Sequence, residues 1–405
     1  MRITVEKSTL SGTVAAPPSK SMAHRLLICG GLGRGRSTVH GIAPSQDILA
    51  TLDCLKVLGA DYTYEGDTVT IDGIGKPEGA KEILSCRESG STLRFFLPLC
   101  MLGEGEKILC GSETLLGRPL GVYADICREQ GIRFENDGKR IAVCGRLSAG
   151  DYSVPGNISS QFITGLLFAL PLLDGDSRII ITTPAESLSY INMTVDALKT
   201  FGVEASWESE SILSVKGNQH FEPRCVYVEG DYSNSAFFAA LGTLGADVTI
   251  TGLKEDSLQG DKVYSDLFCR LSRDGMGEPI DISDCPDLGP ILFAVAAARG
   301  GGVFCGTKRL RIKESDRGAA MAEELLKFGV SVEIEDDRIV VDPVDFHKPR
   351  TLLYGHNDHR IVMSLCVLLT LVGGTIEGAQ AVNKSMPDFF LKMEQLGAAF
   401  KYEAL

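Results

Sequence analysis

The chain has 405 residues, 44% of them hydrophobic and 23% charged, and a formal net charge of −13. This length predicts two or three domains, and this composition is that of a folded globular protein rather than a disordered or fibrous one. The acidic balance argues against a nucleic-acid or anionic-membrane surface, but a local cluster of cations can still hold a small anion.

Met1-Arg2-Ile3-Thr4-Val5-Glu6-Lys7 alternates like a strand and is not a signal peptide. Beyond it one pattern recurs: an apolar helix, a glycine-containing turn, then a short strand. These strands begin at Gly35, Gly105, Gly175, Gly245, Gly301 and Gly373, with spacings of 70, 70, 70, 56 and 72 residues. A second ladder leads into further strands at Leu58-Gly59-Ala60, Gln130-Gly131-Ile132, Phe201-Gly202-Val203, Phe328-Gly329-Val330 and Leu396-Gly397-Ala398. Asn136-Asp137-Gly138 and Asp336-Asp337 read as hairpin turns. The period is too long for a common helical solenoid and carries its own β content. Six α/β units are predicted, three per domain. The fifth is short: 14 residues separate Gly275 from Gly289, against 30 between Gly329 and His359, so one hairpin is missing. The first dozen residues are a strand with no helix before it, and residues 1–14 are expected to complete the last unit. The predicted domains are 15–227, and 1–14 with 228–405, joined by two adjacent crossings that make a hinge.

Polar residues gather where each long apolar helix starts. In chain order these are Ser19-Lys20-Ser21 with Arg25, Glu88-Ser89-Gly90-Ser91-Thr92 with Arg94, and Ser159-Ser160-Gln161. They continue as Asp231-Tyr232-Ser233-Asn234-Ser235, Asp287, and Asn357-Asp358-His359-Arg360. Capping accounts for the Ser, Asp and Asn residues. It does not account for Lys20, Arg25, Arg94 or Arg360, which are cations near positive dipole ends. Arg118 and Lys384 add cations at turns before Pro-containing stretches. The densest run is Lys308 to Arg317, with five cations and two carboxylates, followed by a helix whose apolar stripe is Met321, Leu325 and Phe328. Arg311, Lys313 and Arg317 are expected to gather at that helix start, where backbone N–H groups and guanidinium forks make an anion site. Helix N-termini aimed into one cleft would form an anion trap. No run reaches transmembrane length, since Ile361–Val372 is too short. The twelve cysteines show no CxxC pair and no zinc spacing, which fits buried thiols in a reducing cytoplasm.

Several segments together resemble the 5-enolpyruvylshikimate-3-phosphate synthase family (3-phosphoshikimate 1-carboxyvinyltransferases), from end to end. They are Pro18-Ser19-Lys20-Ser21 with Arg25 and Asp47, Gly90-Ser91-Thr92-Leu93-Arg94, Arg118-Pro119-Leu120, and Ser159-Ser160-Gln161-Phe162. Further along are Leu198 to Glu204, Lys313-Glu314-Ser315-Asp316-Arg317, Asn357 to Arg360, and Lys384-Ser385-Met386-Pro387-Asp388. The resemblance implies an α/β (α+β) protein of two domains, each of three βαβαββ-type repeats in an inside-out α/β barrel, with the active site in the inter-domain cleft. It implies a shikimate-pathway transferase of chorismate and aromatic amino-acid biosynthesis, the glyphosate target, working in the cytoplasm as a monomer. That enzyme moves the enolpyruvyl group of phosphoenolpyruvate to the 5-hydroxyl of shikimate 3-phosphate and releases phosphate. No metal or organic cofactor, nucleic acid or membrane is implied.

By the same resemblance, Lys20, Ser21 and Arg25 hold shikimate 3-phosphate, with Ser159, Ser160 and Ser187 on its phosphate and Gln161 and Tyr190 against its ring. Asp287 and Lys313 also meet this substrate. Lys20, Gly90, Arg94, Arg118, Gln161, Arg317, Arg360 and Lys384 surround phosphoenolpyruvate. The two proton transfers are assigned to Asp287, at the hydroxyl, and Glu314, at C3, with Lys313 and Lys20 assisting or exchanging roles. The chain departs from the family pattern at Glu88, where Asn is common, at Arg309 and His24, each in place of an Asn, and at Gln46 before Asp47. Phe95 replaces the Pro of the glyphosate-sensitive class. The related UDP-N-acetylglucosamine enolpyruvyl transferases carry a catalytic Cys five residues before their Arg, where this chain has Glu113; Cys110 lies eight residues before Arg118. A non-catalytic anion-binding repeat protein is the alternative of a different class.

Overall fold

The computed structural model describes residues 1–77 and 83–403. Two compact units divide the chain, one continuous from Lys20 to Glu229, the other combining Met1–Ser19 with Gly230–Leu405.

Among the described residues the continuous unit holds three four-stranded sheets of one design. The first runs Cys225–Tyr227, Arg34–His40, Thr68–Ile74, Asp61–Glu65. The second runs Ile83–Ser85, Glu106–Cys110, Arg140–Cys144, Arg133–Asn136, and the third Asp151–Val154, Ser177–Ile181, Ile212–Val215, Ala205–Ser209. In each, the first pair is parallel and the rest antiparallel. A parallel pair needs a crossover, and the second and third sheets have helices Gly90–Cys100 and Ser160–Ala169 there. The outer antiparallel pair of each sheet closes by a hairpin, at 136–140 among other places, as the Asn136-Asp137-Gly138 signal predicts.

Helices Lys20–Gly31, Gly90–Cys100 and Ser160–Ala169 are buried on nearly every side, so hydrophobic residues occupy most of their circumference. The last two touch closely because of Gly165. A Cβ there would lie 2.3 Å from the carbonyl oxygen of Arg94 and 2.3 Å from the Tyr123 hydroxyl. That hydroxyl donates to the same Arg94 carbonyl at 2.7 Å, so the contact fixes the helix that carries a predicted site arginine.

The discontinuous unit repeats the design twice. One sheet runs Ile280–Asp281, Gly302–Cys305, Arg338–Val341, Val332–Ile334, with its hairpin at Asp336-Asp337. The other runs Leu353–Tyr354, Gly374–Glu377, Arg2–Val5, Phe400–Glu403. The third sheet has two strands, Ser11–Ala15 parallel to Asp247–Thr251. Helices Tyr232–Thr243, Gly289–Arg299 and His359–Val372 are its buried counterparts. No sheet closes on itself among the described residues.

Two details differ from the sequence reading. The lost hairpin falls between Gly245 and Gly301, as the spacing indicates, but strand pairing places it in the fourth sheet, not the fifth. After Asp247–Thr251 and helix Tyr264–Asp274, the chain turns at Gly275 and enters Ile280–Asp281, which already opens the next sheet. Counting from glycine turns puts each boundary after the helix, whereas pairing puts it at the strand before. Similarly, of residues 1–14 only Arg2–Val5 completes the last sheet; Ser11–Ala15 opens the fourth.

Candidate functional site

In the continuous unit the predicted residues gather at helix starts. Lys20 begins helix Lys20–Gly31, and its ammonium lies 2.7 Å from Asp47 in the first turn of helix Gln46–Val57. Arg25, one turn further, is 2% exposed. Its Nε donates to Thr194 Oγ1 at 2.9 Å, one Nη to the Ser21 carbonyl at 2.6 Å, and the other to the Tyr190 carbonyl at 2.8 Å. The Phe95 and Tyr190 rings face it at 5.6 and 5.9 Å. All of these partners are neutral, and burial brings its pKa down to about 10. A buried guanidinium with no carboxylate is costly alone and suits an arriving anion.

Arg94 donates to Gln161 Oε1 at 2.7 Å, and Gln161 Nε2 donates to Ser91 Oγ at 3.0 Å. Arg118 completes this group across Gly90. A Cβ on Gly90 would stand 2.9 Å from an Arg118 Nη and 3.2 Å from an Arg94 Nη. Glycine is therefore what lets two guanidinium groups converge on one patch of backbone. Ser159 caps helix Ser160–Ala169 by accepting the Gln161 N–H at 3.3 Å, and Ser160 is buried beside it. Ser187 precedes helix Leu188–Thr200 in a left-handed conformation, φ 56°, rare for a non-glycine residue, and its carbonyl accepts the Tyr190 N–H. Two of the departures are neighbours: His24 meets Phe95 edge-on at 6.2 Å while its Nδ1 bonds Thr51 Oγ1 at 2.8 Å.

In the discontinuous unit, Asp287 is the hub. It sits 2.8 Å from Arg317, 3.0 Å from Arg360 and 3.3 Å from Lys313. Burial would raise its carboxyl, but Arg360, Lys313 and Arg317 outweigh burial and hold it well below the usual range. Burial brings the Lys313 ammonium down to about 8, against the pull of Asp287 and with help from Arg309 and Arg317. Glu314 takes the remaining fork of Arg317 at 2.6 Å. Arg317 is 1% exposed; burial alone would lower it, but Asp358, Glu314 and Asp287 raise it above its ordinary value. Lys384 donates to the Asn357 carbonyl at 2.5 Å.

The dense basic run divides. Lys313 and Arg317 turn to Asp287, whereas Arg311 leaves the expected anion site and binds exposed Asp336 at 3.0 Å and the Glu335 carbonyl. Residues Lys308–Ile312 form a 3-10 turn that points Arg311 at the hairpin, and helix Arg317–Lys327 starts only after the Asp316 cap. Arg309 is buried and donates to the Ser283 carbonyl at 3.4 Å.

Three carboxylates were missed as site residues. Asp358, fully buried, caps helix His359–Val372 and receives Arg317 Nε at 2.9 Å and Ser315 Oγ at 3.1 Å. Asp47 holds Lys20. Asp261, buried near Asp287 and Arg360, is pushed up to about 6 by burial and the Asp287 charge. Asp358 and Asp47 lay inside quoted motifs, so a buried-partner requirement for each arginine and lysine was the available signal. All twelve cysteines are free. No helix among the described residues is long and apolar enough to cross a membrane.

Known proteins match nearly the whole chain. A 3-phosphoshikimate 1-carboxyvinyltransferase of Clostridium beijerinckii is 41% identical, over 96% of this chain and 96% of its own. The protein of that name in Clostridioides difficile is 39% identical, again over 96% of each. Among solved structures, an EPSP synthase from Acinetobacter baumannii superposes with a TM-score of 0.79 at 22% identity, covering 99% of this chain and all of that one. The enolpyruvyl transferase NikO from Streptomyces tendae gives 0.77 at 16% identity, over 99% and 98%. These two share the fold. The family model for EPSP synthase (3-phosphoshikimate 1-carboxyvinyltransferase) matches residues 5–393, and the chain belongs to that family.

Proposed function

We propose that this chain transfers the enolpyruvyl group of phosphoenolpyruvate to the 5-hydroxyl of shikimate 3-phosphate, releasing phosphate, and that the residues gathered in its two units do this work. The observation that carries the proposal is Asp287 kept ionised between Lys313, Arg317 and Arg360, with Glu314 on the same guanidinium. Two carboxylates among cations are what a reaction of polyanions with two proton transfers requires.

On the continuous unit, Lys20, Ser21 and Arg25 take shikimate 3-phosphate. Arg25 holds its carboxylate, Ser159, Ser160 and Ser187 its phosphate, and Gln161 and Tyr190 its ring. Gly90, Arg94, Arg118 and Gln161 take phosphoenolpyruvate, as do Arg317, Arg360 and Lys384 on the discontinuous unit. The 5-hydroxyl oxygen bonds C2 of phosphoenolpyruvate and its proton passes to Asp287, while Glu314, protonated once the anionic substrates offset Arg317, delivers a proton to C3. In the second half, C3 returns that proton, the C2–C3 double bond re-forms and the C2–O bond to phosphate breaks. Asp287 is a weak base while three cations face it; two anionic substrates offset those cations and raise its basicity. Lys313, held near 8 and so protonated at neutral pH, assists as a cation beside Asp287, which gives up its proton as phosphate departs. A single chain in a reducing cytoplasm is the working form, in keeping with twelve free cysteines.

The test is inorganic phosphate release from phosphoenolpyruvate, with shikimate 3-phosphate or UDP-N-acetylglucosamine as acceptor. Release with the first alone is expected. Release only with the second would replace the reading, and none with either would reduce the chain to an anion binder.

A further inference from the structure

Behind the Arg317 cluster lies a second buried carboxylate that the reaction does not use. Glu324, on the inward face of helix Arg317–Lys327, has a fully buried side chain. Its Oε1 accepts from Lys327 Nζ at 2.8 Å and meets His356 Nε2 at 2.8 Å. Its Oε2 accepts from Lys327 at 3.0 Å and from the Tyr354 N–H at 3.0 Å. Glu323 joins the network through Lys327 at 3.8 Å; the ammonium fills the centre of this group, making it an ion-pair network and not a cation site.

His356 and Tyr354 flank a strained turn. His356 and Asn357 both have left-handed backbones, φ 47° and 52°, and the Gly355 carbonyl accepts the Asp358 N–H at 2.8 Å. Two consecutive non-glycine residues at positive φ are unfavourable and persist only when their surroundings hold them. Glu324 supplies that hold from both sides. What the turn presents is the site itself: the Asn357 carbonyl under Lys384, and the Asp358 carboxylate under Arg317 and Ser315.

We infer that Glu324 and His356 are positioning residues for phosphoenolpyruvate: their pair clamps the 355–358 turn and thereby sets Arg317 and Lys384. The inference rests on the reading that Arg317, Arg360 and Lys384 hold that substrate. The clamp is pH-sensitive. The bond to Glu324 raises His356 above its ordinary 6.5 and outweighs its burial; the Glu324 and Glu323 charges add to this and Lys327 opposes it. Those three charged groups all lie on the one helix, and strand Leu353–Tyr354 adds an amide. A raised histidine pKa means the charged clamp is complete at low pH and weakens as pH rises through the folded value.

The experiment combines histidine-ring NMR titration with phosphate-release kinetics across pH, on the full chain. Glu324→Gln is expected to return His356 to its ordinary pKa and raise the phosphoenolpyruvate KM about tenfold while leaving the shikimate 3-phosphate KM nearly unchanged. His356→Gln keeps a donor for Glu324, so it should retain the low KM and lose the pH dependence; His356→Ala should show a high KM at every pH. Unmoved titration of His356 in Glu324→Gln would overturn the clamp, as would both KM values rising together with a falling Tm. Should Glu324→Gln fail to fold, the His356 pair of variants decides by the same KM comparison. A wild type that releases no phosphate would sink the functional reading instead, while the wild-type titration still judges the clamp: His356 at its ordinary pKa overturns it, and a raised value supports it.

Discussion

Arg25 is buried among hydroxyls, carbonyls and two aromatic faces, and this has a consequence for stability. Burying a charge without a counter-charge costs folding free energy that substrate later recovers. Arg25→Met, neutral and of similar volume, should therefore raise the shikimate 3-phosphate KM more than tenfold while Tm stays level or rises. Kinetics paired with thermal unfolding checks both halves. Lys313 gives a pH prediction. Its ammonium is held at about 8, below its ordinary 10.5, so the proton-bearing form is lost as pH passes 8 and turnover should fall there; Lys313→Arg should lower turnover and abolish that limb. The stability sign is opposite: between about 8 and 10.5 the unfolded chain binds the extra proton, so stability from this group rises with pH. The charges of this site were readable as residue types in the sequence. Their counter-charges were not, because Arg317 and Asp358 are 41 positions apart and only folding pairs them.

At the scale of elements, close helix contact positions Arg94. Gly165→Ala would drive a methyl into the Arg94 carbonyl and the Tyr123 hydroxyl, each 2.3 Å away. Overpacking of this kind costs about 2 kcal/mol or more. A lowered Tm together with a raised phosphoenolpyruvate KM is expected; a lowered Tm with kinetics unchanged would separate the contact from the site. Hydrophobic periodicity and glycine turns made the helices, hairpins and sixfold repetition legible. The 3-10 turn at Lys308–Ile312 was not, since nothing in a run of cations tells which of them faces a neighbouring hairpin. Arg311 was misplaced for that reason. The repeat boundary was also miscounted, because strand pairing is non-local and glycine spacing is local.

Across the whole molecule, strand Arg2–Val5 lies between Gly374–Glu377 and Phe400–Glu403, pairing the start of the chain with its last sheet. Ile3 is fully buried there. Ile3→Asp should loosen the discontinuous unit and spare the continuous one, which hydrogen exchange resolved by region would reveal; uniform loss of protection would mean that the two unfold together. The same strand sets a timetable for synthesis. Residues 20–229 carry every described strand of their three sheets and need nothing made later to pair them. Strand Arg2–Val5 must wait, unpaired, until positions 374–403 arrive, a delay of roughly twenty to eighty seconds at ordinary elongation rates, whereas Ser11–Ala15 waits only for Asp247–Thr251. During that interval a nascent apolar strand stands open to chaperones and to misplaced partners. Selection on this N-terminal segment therefore acts on its behaviour in the waiting state as well as in the finished fold.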